Sequence, residues 1–213
     1  MAAREDYRGE KIVVRNNGAR CIHSRFCVLG RPDVFVPNVD GQWIHPDRAT
    51  PAELVELAHN CPSGAIACHG SDGALLEAAP RVNTVRVREN GPLAFRAPLT
   101  VDGRAVGLRA TLCRCGASAR KPFCDGSHGT AHFSASGEPA AADSTALPQR
   151  DGALAVEPIR DGPLHVRGNL EVISGTGMTL NRMAEAWLCR CGQSSKKPYC
   201  DGTHKRVGFR SEA

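Results

Sequence analysis

"TLCRCGASARKPFCDGSH", residues 111–128, places three cysteines and one histidine within sixteen residues, and "WLCRCGQSSKKPYCDGTH", residues 187–204, does so again. The two stretches align without a gap at an offset of 76. Upstream, "RVRENGPLAFRA" matches "AVEPIRDGPLHVRG" at an offset of 71, so the second copy is longer between its blocks. In each copy a turn, "ENGP" or "RDGP", separates short runs of strand-like composition. Residues 134–150, "SASGEPAAADSTALPQR", are small, polar and proline-containing, and read as a flexible connection between the copies.

Cys113 and Cys115 lie two apart at the end of an expected strand, so both side chains point to one side. Cys124 and His128 lie four apart where "DGSH" reads as the opening of a helix, which sets them one turn apart on one face. Cys189 with Cys191, and Cys200 with His204, repeat the arrangement. Each copy therefore offers two pairs of ligands, and each pair suits one metal ion. A single tetrahedral zinc also accepts three thiolates and an imidazole. Familiar zinc spacings, however, leave two or more residues between paired cysteines, and C-x-C is tighter. A two-iron cluster fits two close pairs more comfortably.

The rest of the composition agrees with small modules held by metal. Of 213 residues only 5% are aromatic, against 22 glycines and 14 prolines, so large apolar side chains are scarce. Modules with thin cores need a metal or a disulfide. The first residues are charged and carry no apolar run of signal-peptide length, and no stretch approaches a membrane span. The expectation is a soluble protein of a reducing, cytoplasmic compartment without a membrane anchor, where thiols ligate metal more often than they form disulfides. A net charge of +5 without a run of basic residues gives no support to nucleic-acid binding.

Ahead of the repeat, "KIVVR" reads as a strand, "CIHSRFCVLGRPDVF" as a loop or short helix, and "QWIHP" as a second strand. "TPAELVELAHNC" opens a helix: Thr50 is the N-cap, Pro51 takes the first position and Glu53 completes a capping box. Leu54, Leu57 and Ala58 then share one face. The helix delivers Cys61 into the following turn, and residues 70–80 read as a linker.

The motif C-x-C-x2-S/T-x3-P-x-C-D-G-S/T-H resembles that of CDGSH iron–sulfur domains, the mitoNEET family. Both copies match at every fixed position: Cys113, Cys115, Ser118, Pro122, Cys124, Asp125, Gly126, Ser127 and His128, then Cys189, Cys191, Ser194, Pro198, Cys200, Asp201, Gly202, Thr203 and His204. The resemblance implies one 2Fe–2S cluster per copy, with two cysteines on the inner iron and the Cys–His pair on the outer one. It also implies a strand-rich fold that places two such sites near a dimer axis, here supplied by the tandem repeat. An imidazole in place of a thiolate removes about one negative charge and raises the reduction potential, the lever that separates Rieske centres from all-cysteine ferredoxins. Histidine is also the ligand most easily protonated near neutral pH, which would couple cluster loss to acidity. Around each cluster, Ser118 and Ser194 are candidates to hydrogen-bond sulfur, and Asp125 and Asp201 to cap the following helix. Arg114, Lys121, Arg190 and Lys197 lie close in sequence to an anionic cluster, where they tune it, receive a partner or are simply solvated.

The N-terminal cysteines differ. Cys21, Ser24 and Cys27 occupy the near positions of a ferredoxin-type C-x2-C-x2-C, with Cys61-Pro62 as the distant ligand. This segment, residues 11–69, resembles the divergent single-cluster 4Fe–4S domain fused to some CDGSH repeats, in which "C-x-H-S-x2-C-V" and "CPSGA" recur. Three cysteines suit a 3Fe–4S cluster, or a 4Fe–4S one completed by His23, Ser24 or water. Cys68 is an outside candidate for the same cluster, although an extra cysteine of this kind more often reads as buried packing. Trp43 and Trp187 read as packing residues too, with Trp187 a candidate shield for its cluster. The unmatched histidines His45, His59, His69, His132 and His165 read as structural.

The expected fold class is α+β and strand-rich: a small ferredoxin-like domain over 8–69, then CDGSH domains over 81–133 and 151–213 forming an internal pseudo-dimer within a monomer. The expected role is electron transfer or cluster transfer to redox or apo-acceptor proteins, rather than catalysis. The alternatives are a zinc-binding interaction module and a redox enzyme subunit. No phosphate-binding loop, nucleophile elbow or flavin signature favours the last.

Overall fold

The computed structural model describes residues 4–211; the last two positions of the expected 151–213 domain lie outside the described residues. The chain divides into two compact units, Met1–Ala78 and Ala79–Ala213.

In the first unit β1 (Arg4–Arg8), β2 (Val13–Asn17) and β3 (Ile66–His69) form an antiparallel sheet in the order β1-β2-β3. A short helix, α1 (Phe26–Gly30), follows Cys21. The longer α2 (Pro51–Asn60) starts as the sequence dictates: Thr50 Oγ1 accepts from Glu53 N–H while Glu53 returns a carboxylate oxygen to Thr50 N–H at 2.8 Å. Leu54, Leu57 and Ala58 are its buried face, packed with Ile12, Val14, Phe35 and Ile44. "QWIHP" forms only an isolated bridge, Phe35 to Ile44, rather than a strand. The expected linker after β3 also folds back: Leu76 N–H donates to Cys68 C=O, and Glu77 is buried, accepting from Cys68 N–H.

The second unit is built from equivalent halves. The first copy supplies β4 (Thr84–Val87), β5 (Leu93–Val101) and β6 (Arg104–Leu112). The second supplies β7 (Leu154–Pro158), β8 (Leu164–Ile173) and β9 (Thr179–Leu188). β5–β6 and β8–β9 are antiparallel hairpins. The short strands cross over. β4 runs antiparallel to β5 of its own copy and parallel to β8 of the other; β7 runs antiparallel to β8 and parallel to β5. The circuit β4–β5–β7–β8 therefore closes on itself, and one apolar core takes Val85, Phe95 and Leu112 from one copy with Val156, Val166 and Leu188 from the other. Burial of that shared face is the main force holding the copies together. The segment expected to be a flexible connection is held along its length: Gly175 N–H donates to Gly137 C=O, Ala142 N–H to Leu180 C=O, and Asn83 N–H to Arg150 C=O. Among the described residues, no helix is long and apolar enough to cross a membrane.

Candidate metal centres

Each repeat hairpin ends at the first cysteine of its motif. β6 stops at Leu112 and β9 at Leu188, and the chain returns through a cis peptide, Lys121–Pro122 or Lys197–Pro198. The return pins the cysteines by backbone bonds. Cys113 N–H donates to Pro122 C=O and Cys124 N–H to Thr111 C=O; Cys189 and Cys200 repeat this with Pro198 and Trp187. The Sγ atoms of Cys113 and Cys115 are consequently 3.7 Å apart, as are those of Cys189 and Cys191. Cys124 Sγ lies 3.4 Å from His128 Nδ1, and Cys200 Sγ 3.3 Å from His204 Nδ1.

These separations are a metal's bite. Two sulfurs on one tetrahedral ion with bonds near 2.3 Å stand about 3.8 Å apart, and a sulfur with an imidazole nitrogen about 3.5 Å. Among the described residues no three such groups gather closely enough for a single ion. The helical reading of the second pair needs correction. The helix α3 (Ser127–Thr130), like its counterpart α4 (Thr203–Arg206), begins only after the cysteine. The pair closes through a left-handed glycine instead, Gly126 at φ +92° and Gly202 at φ +85°.

Around the pairs, Ser118 Oγ donates to Phe123 C=O at 2.7 Å and accepts from Arg120 N–H; Ser194 does the same with Tyr199 and Lys196. The serine hydroxyls, expected at sulfur, thus spend their one proton on closing the loop. Asp125 does not cap α3 as expected, since the N-cap is Gly126 without a side-chain bond; one residue earlier it accepts from Ser127 N–H and also from Ala119 N–H across the loop. Burial would raise its carboxyl, but these hydrogen bonds outweigh it and hold the group down to about 2. Asp201 is lowered in the same way by the N–H groups of Thr203 and Ser195. The N–H groups of Gly126 and Ala117 approach Cys124 and Cys115 sulfur at 3.4 Å.

Sequence reasoning named the arginines of the C-R-C segments as tuning the cluster, receiving a partner or solvated, and missed that they are buried and tie the loop. Arg114 and Arg190 are each only 1% exposed. Arg114 donates to the carbonyls of Arg88, Gly91, Ala135 and Ser136 and lies 5.2 Å from the Phe133 ring centre. Arg190 reaches Ile159, Gly162 and Ser211 beneath Phe209. The signal was an arginine at one place in both copies, which solvated charge does not require. Lys121 and Lys197 fold onto the carbonyls of Ser118 and Ser194. The two C-R-C-G turns also press on each other. A Cβ on Gly116 would meet Cys191 C=O at 2.8 Å, and one on Gly192 would meet Cys115 C=O at 2.6 Å.

The thiols are tuned by these surroundings. A hydrogen bond from Cys115 draws Cys113 down to about 6, with Cys115 raised in exchange, while burial pushes Cys124 and Cys191 up to about 11. Burial likewise lowers His128, favouring the neutral, ligating imidazole. Trp187, expected as packing or a shield, is 45% exposed and stacks on His165 at 3.9 Å; His165 in turn contacts Glu185 at 2.6 Å.

These repeat cages match the family described as "Iron-binding zinc finger CDGSH type" over residues 80–129 and again over 161–205. The chain carries two CDGSH iron-binding domains. Residues 7–69 match a second family, "Divergent 4Fe-4S mono-cluster", joined to the CDGSH segments in one chain. The uncharacterized protein YjdI of Escherichia coli strain K12 is 44% identical over 61 residues, 28% of this chain and 78% of YjdI, and YjdI of the O157:H7 strain gives the same values.

The mono-cluster segment brings Cys21, Cys27 and Cys61 to the wall of one cavity of about 720 Å³, lined also by His23, Ser24, Ser63 and Trp43. Burial raises the thiols of Cys21 and Cys27, and each feels the charge of Cys61. The loop between them turns through left-handed His23 and Arg25, at φ +53° and +65°. Cys68 stays in the apolar core on β3, as packing. Three thiols lining one cavity are a donor set of the kind an iron–sulfur cluster would use.

Proposed function

We propose that this iron–sulfur protein carries electrons or assembled clusters between partner proteins. In this reading the first repeat holds a 2Fe–2S cluster through Cys113, Cys115, Cys124 and His128, and the second through Cys189, Cys191, Cys200 and His204. One observation carries it: the four ligands of each cage come as two pairs, each already at the bite of one metal. The clusters supply a one-electron couple; the chain's residues set its charge and shelter. A tetrahedral zinc, the rival occupant, would draw all four ligands into one group. Cys21, Cys27 and Cys61 hold a 3Fe–4S or 4Fe–4S cluster, the latter completed by His23, Ser24 or water.

The reciprocal pairing of β4 with β8 and β7 with β5 supports an internal pseudo-twofold pair, which makes a single chain the counterpart of a dimer. Domain limits near 8–69, 81–133 and 151–213 fit this arrangement. The partners are redox proteins or apo-acceptors. Anaerobic purification followed by iron, sulfide and zinc analysis tests the reading: a red-brown protein with iron and sulfide in equal amounts is expected, and a colourless one with stoichiometric zinc would refute it. Within the loaded protein, His128→Cys adds one negative charge to the first cage. Its midpoint potential is expected to fall by on the order of a hundred millivolts or more. An unchanged potential would remove His128 from the ligand set.

A further inference from the structure

Because the two copies are built alike, the places where they differ carry information. Within the Ala79–Ala213 unit a cleft of about 580 Å³ lies between Ser118, Ala119 and Lys121 of the first copy and Arg160, Asp161, Arg210 and Ser211 of the second. Ser118–Lys121 belong to the loop between Cys115 and Cys124, so the cleft opens beside the first cage. Three cations line it against one carboxylate. That carboxylate is already engaged, since Asp161 accepts from Ser211 N–H at 2.6 Å and pairs with Arg210 at 3.2 Å. Arg160 is exposed, and the Arg210 side chain is 83% exposed.

Moving these positions by the repeat offsets gives the related face beside the second cage. There Lys197 stands for Lys121, but Glu89 stands for Arg160, Asn90 for Asp161 and Ser134 for Arg210. One cation faces one carboxylate, and Glu89 is occupied in holding Gly137 N–H. The ligands are the same in both copies; the charge beside them is not. Lys205 and Arg206 add positive charge on α4, next to His204, but do not line the cleft.

Resting on the carrier reading above, we propose that the Lys121–Arg160–Arg210 cleft is the docking face for an acidic protein partner, which thereby meets the first cage rather than the second. Two exposed arginines beside the half-buried Lys121, spread along an open cleft, suit a macromolecular surface. A small anion is held instead by convergent, buried donors, whereas the buried hydroxyls of this cleft are already engaged, Ser118 with Phe123 C=O and Ser211 with Arg190 and Asp161 N–H. Charges so placed act through steering and orientation, and their effect weakens with salt.

The test uses the full, cluster-loaded chain and, as probe, ferric cytochrome b5, an acidic haem protein, with titration calorimetry at low and moderate salt. Binding that weakens with salt is expected. Arg160→Glu, an exposed position, should weaken it by about fivefold or more, and Arg160→Glu with Arg210→Glu further. Arg104→Glu, the same charge change at the tip of the β5–β6 hairpin, should have little effect. Equal losses from Arg104→Glu, or a larger loss from Lys205→Glu on α4, would overturn the proposal. So would pyrophosphate binding that Arg160→Glu abolishes while the cytochrome is unaffected, which would make the cleft a small-anion site. Visible absorption of the same samples reads the cluster separately. A colourless chain that still binds cytochrome b5 through Arg160 defeats the cluster reading and leaves the docking face standing.

Discussion

In the repeats, each pair of candidate ligands is fixed at 3.3–3.7 Å by a loop whose polar groups answer one another. In the N-terminal unit, Cys21, Cys27 and Cys61 instead line an open cavity, and left-handed His23 and Arg25 shape the loop that carries two of them. The difference is one of where order comes from. A repeat cage is written into the fold, because Arg114, Ser118 and Asp125 tie its loop to strands and turns regardless of what is bound. The N-terminal site shows fewer such ties: His23 N–H approaches Cys21 sulfur at 3.4 Å, and Cys61 sulfur lies 3.7 Å from Ser63 Oγ.

The largest effects should come from the thiols. Cys124→Ser is expected to remove the iron and sulfide of the first repeat only, and Cys61→Ser those of the N-terminal site only. EPR and iron counts on each variant would show this. If Cys61→Ser also empties the repeats, the sites do not fill independently and the contrast fails. Next comes the buried arginine. Arg114→Met strands the carbonyls of Arg88, Gly91, Ala135 and Ser136 away from water, a cost on the order of 3–5 kcal/mol. Urea unfolding of the variant should show a lower midpoint at unchanged slope. Arg114→Lys keeps the charge but loses the planar fork, and should fall between. A loss below about 1 kcal/mol for Arg114→Met would mean that the guanidinium does not hold the cage loop.

Some of this was legible in the chain itself. The ligand pairs, the Thr50–Glu53 capping box and the strand-rich repeat follow from local spacing, where a side chain's neighbours are its neighbours in sequence. The exchange of β4 and β7 between copies was not legible, because pairings such as Thr84 with Glu171 and Leu99 with Leu154 lie far apart in sequence and leave no local periodicity. β1 and β3 were missed because "REDYR" and "IACH" lack the β-branched run that marks "KIVVR"; both are set by their partner β2. Residues 134–150 looked like a tether because their composition is small and polar. Their order comes from backbone groups meeting Gly175 and Leu180, which composition does not encode.

The smallest effect gives the sharpest reading of how the copies meet. Gly116 and Gly126 both take left-handed backbone, at φ +83° and +92°, so alanine strains each by about 1 kcal/mol. They differ in what a new Cβ would touch. At Gly126 nothing lies within 4 Å, whereas at Gly116 the Cys191 carbonyl of the other copy stands 2.8 Å away. That neighbour is backbone inside the second C-R-C-G turn, so relief requires one turn to move off the other. Gly116→Ala is therefore expected to cost roughly 2–4 kcal/mol, against about 1 for Gly126→Ala. The excess should also perturb the EPR signal of the second repeat, in which no ligand is replaced but whose Cys191 carbonyl the new Cβ would meet. Equal midpoints for the two variants, with both signals unchanged, would mean that the turns are not pressed together and that each cage stands on its own copy.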